Sequence, residues 1–112
     1  MKLQSFYLLT VFFMGLFVLK SQAYTATISE NLSAFCRVWI EDSNHFRIAG
    51  DGKGHYRGCG SVNFNHIDFN DQQYYIVVKV EGSTKEEKVR GPFDSNHSCS
   101  LYGEVDSWGF DC

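Results

Sequence analysis

The chain has 112 residues, 44% hydrophobic and 16% aromatic, with 10 basic residues against 13 acidic ones and a formal charge of −3. That length holds one domain, and the acidic balance disfavours general attraction to nucleic acid or to an anionic membrane. The Asp and Glu residues are dispersed rather than run together, which reads as a solvated surface and not as a cation site.

Residues 1–23 read as an export signal. Met1-Lys2 is a short charged start, Phe6 to Leu19 an apolar run too short for a stable membrane span, and Ser21-Gln22-Ala23 a small-residue cleavage site. Cleavage after Ala23 leaves a single secreted domain, 24–112, of 89 residues, with eight basic residues and a formal charge of −5. All four cysteines follow the signal, at 36, 59, 99 and 112, with gaps of 22, 39 and 12 residues. No C-x-x-C and no Cys/His pair at zinc-ligand spacing occurs, so Cys36, Cys59, Cys99 and Cys112 read as two structural disulfides. Three pairings are open. Each bridge is worth roughly 3 to 4 kcal/mol in a chain-entropy picture, comparable with the whole stability of so small a domain. Asn31-Leu32-Ser33 and Asn96-His97-Ser98 are glycosylation sequons.

Along the domain, Ile28, Leu32 and Phe35 have helical spacing and predict a turn or two of helix. Phe35 to Ile40 predicts a strand with Cys36, Val38 and Ile40 on the core face. Glu41 to Asn44 is a turn, and His45 to Ala49 returns as a short strand, making a hairpin. The glycine-rich stretch from Gly50 to Gly60 lacks the order of a phosphate loop and reads as a connection. Val62 and Phe64 lie on one parity and Ile67 and Phe69 on the other, which predicts a β-bulge near Asn65-His66. Tyr74 to Val80 is apolar on almost both faces and predicts a central strand. A polar loop follows, then a strand at Lys88-Val89-Arg90 stopped by Gly91-Pro92. Cys99 to Val105 is the last predicted strand, followed by Asp106 to Phe110. Five or six short strands without a persuasive helix predict an all-β fold, a small disulfide-stabilised β-sandwich of about six antiparallel strands.

The run Asp94 to Gly103 with Trp108 beyond it resembles the final hairpin of the fungal MAX effectors, the Magnaporthe avirulence and ToxB-like secreted proteins. Phe35-Cys36-Arg37-Val38-Trp39-Ile40 is similar to their first strand. The resemblance implies two three-stranded antiparallel sheets, a Cys36–Cys99 bridge and therefore Cys59–Cys112. It also implies a virulence function in a plant–pathogen interaction. The protein would bind a host plant protein, such as a small metal-binding-type domain, by strand pairing at an exposed sheet edge, and would be secreted or translocated into the host cytoplasm. The edge expected here is Phe46, Arg47 and Ile48.

A rival resemblance is to the small fungal ribonucleases, on Tyr74-Tyr75, Phe93 to Asn96, Leu101 to Val105 and the closing Phe110-Asp111-Cys112. It implies an α+β ribonuclease-like fold and a Cys36–Cys112 bridge, in a protein that binds RNA with or without cleaving it. His45, His66, His97, Glu81 and Arg90 are the residue types its chemistry needs. The helix expected after the first cysteine is missing from the pattern, and no nucleophile–base motif is present. Trp39, Trp108, Tyr102 and Phe110 are suited either to a contact surface or to the core. The expectation is a monomeric binding protein without catalysis, cofactor, metal or membrane contact.

Overall fold

The computed structural model describes residues 23–60 and 63–112; the export signal read in residues 1–23 lies outside the described residues except for Ala23, and Val62, read on the parity of Phe64, also lies outside them. Among the described residues nine strands follow in order: β1 (Ala23–Ser33), β2 (Phe35–Glu41), β3 (Arg47–Gly50), β4 (Arg57–Gly58), β5 (Asn63–Asn70), β6 (Tyr74–Val80), β7 (Lys88–Phe93), β8 (His97–Glu104) and β9 (Ser107–Asp111). They form a four-stranded sheet, β5-β1-β8-β9, and a five-stranded sheet, β3-β2-β6-β7, with β4 also paired to β2. Pairing is antiparallel except between β1 and β8, which run parallel. The fold is therefore the expected all-β, disulfide-stabilised sandwich. Among the described residues it has nine strands rather than about six, in sheets of four and five rather than two of three, with one parallel pair where all were expected antiparallel; no helix is present among these residues, so the α+β alternative does not describe it.

Between the sheets lies one apolar core. β2 contributes Cys36, Val38 and Ile40, and β6 contributes Tyr74, Ile76, Val78 and Val80. Their burial follows the period of two, which puts alternate residues of a strand on one face. β6 sits between β2 and β7, the central place its two-sided apolarity predicts. Trp108 and Phe110 of β9 are buried in the same core, while Trp39 is buried outside it, on the opposite face of β2.

Five further expectations need correction. Residues 23–33 are a strand, not a helical turn. A separation of four residues, as between Ile28 and Leu32, fits both periods, and the strand is set by the alternation of buried Ala26, Ile28, Glu30 and Leu32 with less buried Thr25, Thr27, Ser29, Asn31 and Ser33. β5 has no bulge: it pairs with β1 without interruption from Ala23↔Asn70 to Glu30↔Asn63. Ile67 and Phe69 face inward and Phe64 is 62% exposed, so counting Phe64 as core created the apparent slip. β7 runs through Gly91-Pro92 to Phe93, because it is an edge strand where a missing N–H is tolerated. Gly91 has φ +132°, and a Cβ there would stand 2.9 Å from the Tyr74 carbonyl oxygen. Phe46 precedes β3 rather than belonging to it.

The fifth correction concerns the disulfides. They are Cys36–Cys59 and Cys99–Cys112, replacing both the Cys36–Cys99/Cys59–Cys112 set and the Cys36–Cys112 bridge. β4 lies against β2 with Cys36 opposite Arg57, which carries Cys59 to Cys36 with Cα atoms 6.0 Å apart. The β8–β9 hairpin sets Ser100 opposite Asp111 and so delivers Cys112 to Cys99. Both bridges are local, and each stays within one sheet. Two disulfides indicate an oxidising, extracellular setting, and no helix among the described residues is long and apolar enough to cross a membrane.

Candidate docking surface at the β2–β3 corner

The β2–β3 hairpin is built by Asp42. Its Oδ1 accepts the backbone N–H groups of Asn44 at 2.9 Å and Phe46 at 3.0 Å, closing the turn. His45 takes the left-handed φ of 66° that this turn requires. Phe46, at the tip, is 69% exposed. β3 then pairs with β2 through Trp39↔Gly50, Ile40↔Ala49 and, across a register shift, Glu41↔Arg47. At its end Gly50 has φ +88°, and a Cβ there would fall 2.6 Å from the Val38 carbonyl oxygen.

Asp51 follows and takes the place of a strand neighbour beside Val38. Its N–H donates to the Val38 carbonyl at 2.9 Å, and its Oδ2 accepts the Val38 N–H at 3.0 Å. The same carboxylate accepts Arg57 Nε at 3.0 Å, while Arg57 Nη1 and Nη2 donate to Glu30 Oε1 and Oε2, each at 2.7 Å. Glu30 is 3% exposed and faces inward from β1, so this bidentate bridge crosses from one sheet to the other. The hydrogen bonds that Arg57 donates to Glu30, then the charges of Glu30 and Asp51, hold the Arg57 pKa above its ordinary value against the opposing effect of burial.

On the outer face of β2, the Arg37 guanidinium stacks 4.1 Å from the centroid of Trp39. The Trp39 Nε1–H donates to Glu41 Oε2 at 2.8 Å, and Glu41 Oε1 lies 3.3 Å from His45 Nδ1. Arg47 turns back from β3 and donates to the carbonyls of Gly50 and Asp51. The expected docking residues therefore occupy an edge strand and its turn: Phe46 and Arg47 are exposed, whereas Ile48 packs partly into the core.

The ribonuclease-type residues do not converge. His66 lies on the outer face of β5, 3.1 Å from Thr27 Oγ1. His97 stacks on Phe93 at 3.8 Å, and His45 lies tilted against Tyr75 with ring centroids 4.9 Å apart. Glu81 is in the loop after β6, and Arg90 lies over Phe110. Of the four aromatics weighed as contacts, Trp39, Trp108 and Phe110 are buried and Tyr102 is 44% exposed, its hydroxyl donating to Asp111 at 2.6 Å. Both sequon asparagines are exposed: Asn31 on β1, and Asn96 in the turn before β8, where its Oδ1 accepts the Thr25 N–H at 2.8 Å. Ligand atoms of Glu30, Cys36 and Cys59 lie within 4.8 Å of one another. Both sulfurs are spent in the disulfide and Glu30 in the Arg57 bridge, so no donor set for a metal is left there.

Sequence reasoning missed Glu30, Arg57, Asp51 and Arg37. The available signal was Glu30, a charge on the apolar parity of residues 26, 28 and 32, which demands a buried partner.

No family model and no curated protein matches the chain. Among solved structures it is similar to the crystal structure of the human-specific toxin intermedilysin, with a TM-score of 0.48 and 11% identity over 81% of this chain and 23% of the toxin chain. A disulfide-locked intermedilysin mutant with human CD59 gives a TM-score of 0.49 and 14% identity, over 81% and 24% of the two chains. The chain thus spans about a quarter of the length of the toxin it matches.

Proposed function

We propose that this protein is a secreted binding protein of the fungal effector kind, MAX-like in its role, that docks on a host plant protein by adding a partner strand at β3 and performs no chemistry on it. The carrying observation is that β3 is an edge strand of the five-stranded sheet, next to a hairpin tip that exposes Phe46. Backbone groups along such an edge supply affinity, and alternate side chains select the partner. A host domain of the small metal-binding type, met outside or inside the plant cell, fits this mode because it offers a sheet edge of its own.

An Arg47→Pro variant tests it, since proline removes a donor from the edge. With folding checked by circular dichroism, the variant is expected to lose a plant protein that the wild type co-purifies; full retention of that partner removes the β3 edge. RNA cleavage abolished by His66→Ala or His97→Ala would instead establish the ribonuclease reading.

A further inference from the structure

The geometry points to an acidic segment as the partner's contact: the outer face of the five-stranded sheet beside β3 receives carboxylates on Arg37 and Arg47, with Lys79 further in adding to the local positive potential. This deepens the β3 reading and rests on it. Arg37 is 9% exposed, yet among the described residues no carboxylate lies within 4.0 Å of it. Among the described residues its Nε is buried without a hydrogen-bond partner, and its Nη2 reaches only the Asp51 carbonyl, at 3.5 Å. A guanidinium does not shed its proton, and a buried charge left unpaired is costly, so stacking on Trp39 compensates it only in part.

The carboxylates of this corner are already engaged. Arg57 holds Glu30 and Asp51, and Glu41 accepts from Trp39 and lies beside His45. Arg47 donates Nε and Nη2 to backbone carbonyls, which leaves its Nη1 for a partner's carboxylate. Lys79 is exposed and stands directly across from Arg37 on β6, on the same face. Three cations thus meet on one face of a chain whose formal charge is −3.

That overall charge selects the occupant. A long polyphosphate would be repelled by the rest of the molecule, whereas a short acidic strand meets only the local cations. A strand added at β3 places every second side chain on the outer face, about 7 Å apart. Alternate Glu or Asp residues then face Arg47 and Arg37, whose guanidinium groups both lean to the Asp51 carbonyl at the end of β3, while Lys79, three strand spacings from the added strand, acts through the local potential.

The test is an amide NMR titration of the mature protein with three hexapeptides: alternating Glu-Val, alternating Lys-Val, and Glu-Val with N-methylated backbone. Expected are saturable shifts around Arg37–Trp39, Arg47–Gly50 and Lys79 with Glu-Val only, weakened about tenfold or more by Lys79→Glu and by raising salt to ~0.5 M, where screening reaches only a few ångströms. Lys79 is exposed, and the folding of its variant is checked by circular dichroism. No saturable shift with Glu-Val, or equal shifts with Lys-Val, overturns the acidic contact. Equal binding of the N-methylated peptide leaves the acidic contact standing and removes strand addition.

Discussion

Glu30 and Arg57 stand apart from the other charges because one partner is nearly sealed and the other is not. The Glu30 side chain is 3% exposed and that of Arg57 is 34% exposed. Removing Arg57 strands a buried carboxylate, while removing the Glu30 charge leaves Arg57 with Asp51 and solvent. Arg57→Met is therefore expected to cost about 3 kcal/mol, the lower end for breaking a buried pair, and Glu30→Gln clearly less. Urea unfolding midpoints decide the order, and equal losses would sink the asymmetry. A second residue sets an alkaline limit. Burial pushes the Tyr74 phenol up to about 12, with Tyr24 adding a smaller effect, and its hydroxyl donates to the Ser95 carbonyl at 2.7 Å. Because the folded value lies above the ordinary one of about 10, the neutral form is favoured by folding. The resulting stability, roughly 2 to 3 kcal/mol, is fully present below pH ~10 and is lost as pH rises toward ~12. Denaturant unfolding at pH 9 and 11.5 is expected to show this fall in the wild type and a smaller one in Tyr74→Phe; identical falls would refute it. At this scale the sequence was least informative. Glu30 reads as one more surface acid until β1 is known to be a strand, and Arg37 shows nothing of its missing partner.

Among the elements, those whose pattern is local were legible. β2 and β6 declare themselves by alternating or continuous apolar runs, and Asp42 to His45 by turn composition. β1 was hidden because a buried charge interrupts its apolar parity and its remaining spacing also fits a helix. β4 has two residues, too few for any periodicity. The β8–β9 hairpin carries a test of how strictly a turn constrains its residue. Gly103 has φ +110°, and a Cβ would lie 2.3 Å from the Ser107 carbonyl oxygen; at Gly82, φ is +76° with nothing within 4 Å. Gly103→Ala must move the backbone of β9 against the bond holding Cys99 to Cys112, at roughly 2 to 4 kcal/mol, whereas Gly82→Ala meets only the left-handed conformation, at about 1 kcal/mol. Thermal unfolding should rank Gly103→Ala well below Gly82→Ala; a reversed ranking would mean that the hairpin relaxes freely.

For the whole molecule, the sandwich was legible in the count of strands and turns, but its wiring was not. The parallel contact of β1 with β8 joins residues some 70 positions apart, and no local pattern encodes it. The bridge pairing depends on that wiring. An inter-sheet Cys36–Cys99 bond would tie β2 to β8, yet the chain spends its cysteines on closing each sheet and leaves the crossing to apolar packing and to Glu30–Arg57. Digestion after lysine, without reduction, separates the possibilities, because Lys53 and Lys79 to Lys88 lie between the cysteines. Local bridges yield residues 54–79 linked to the peptide ending at Lys53, and residues 89–112 free of both with its own internal bond. Either alternative pairing yields all three peptides in one covalent species. Recovery of that single species would replace the wiring of the sandwich itself, since Cys59 could no longer sit against β2, and the Arg57 it follows could no longer reach Glu30.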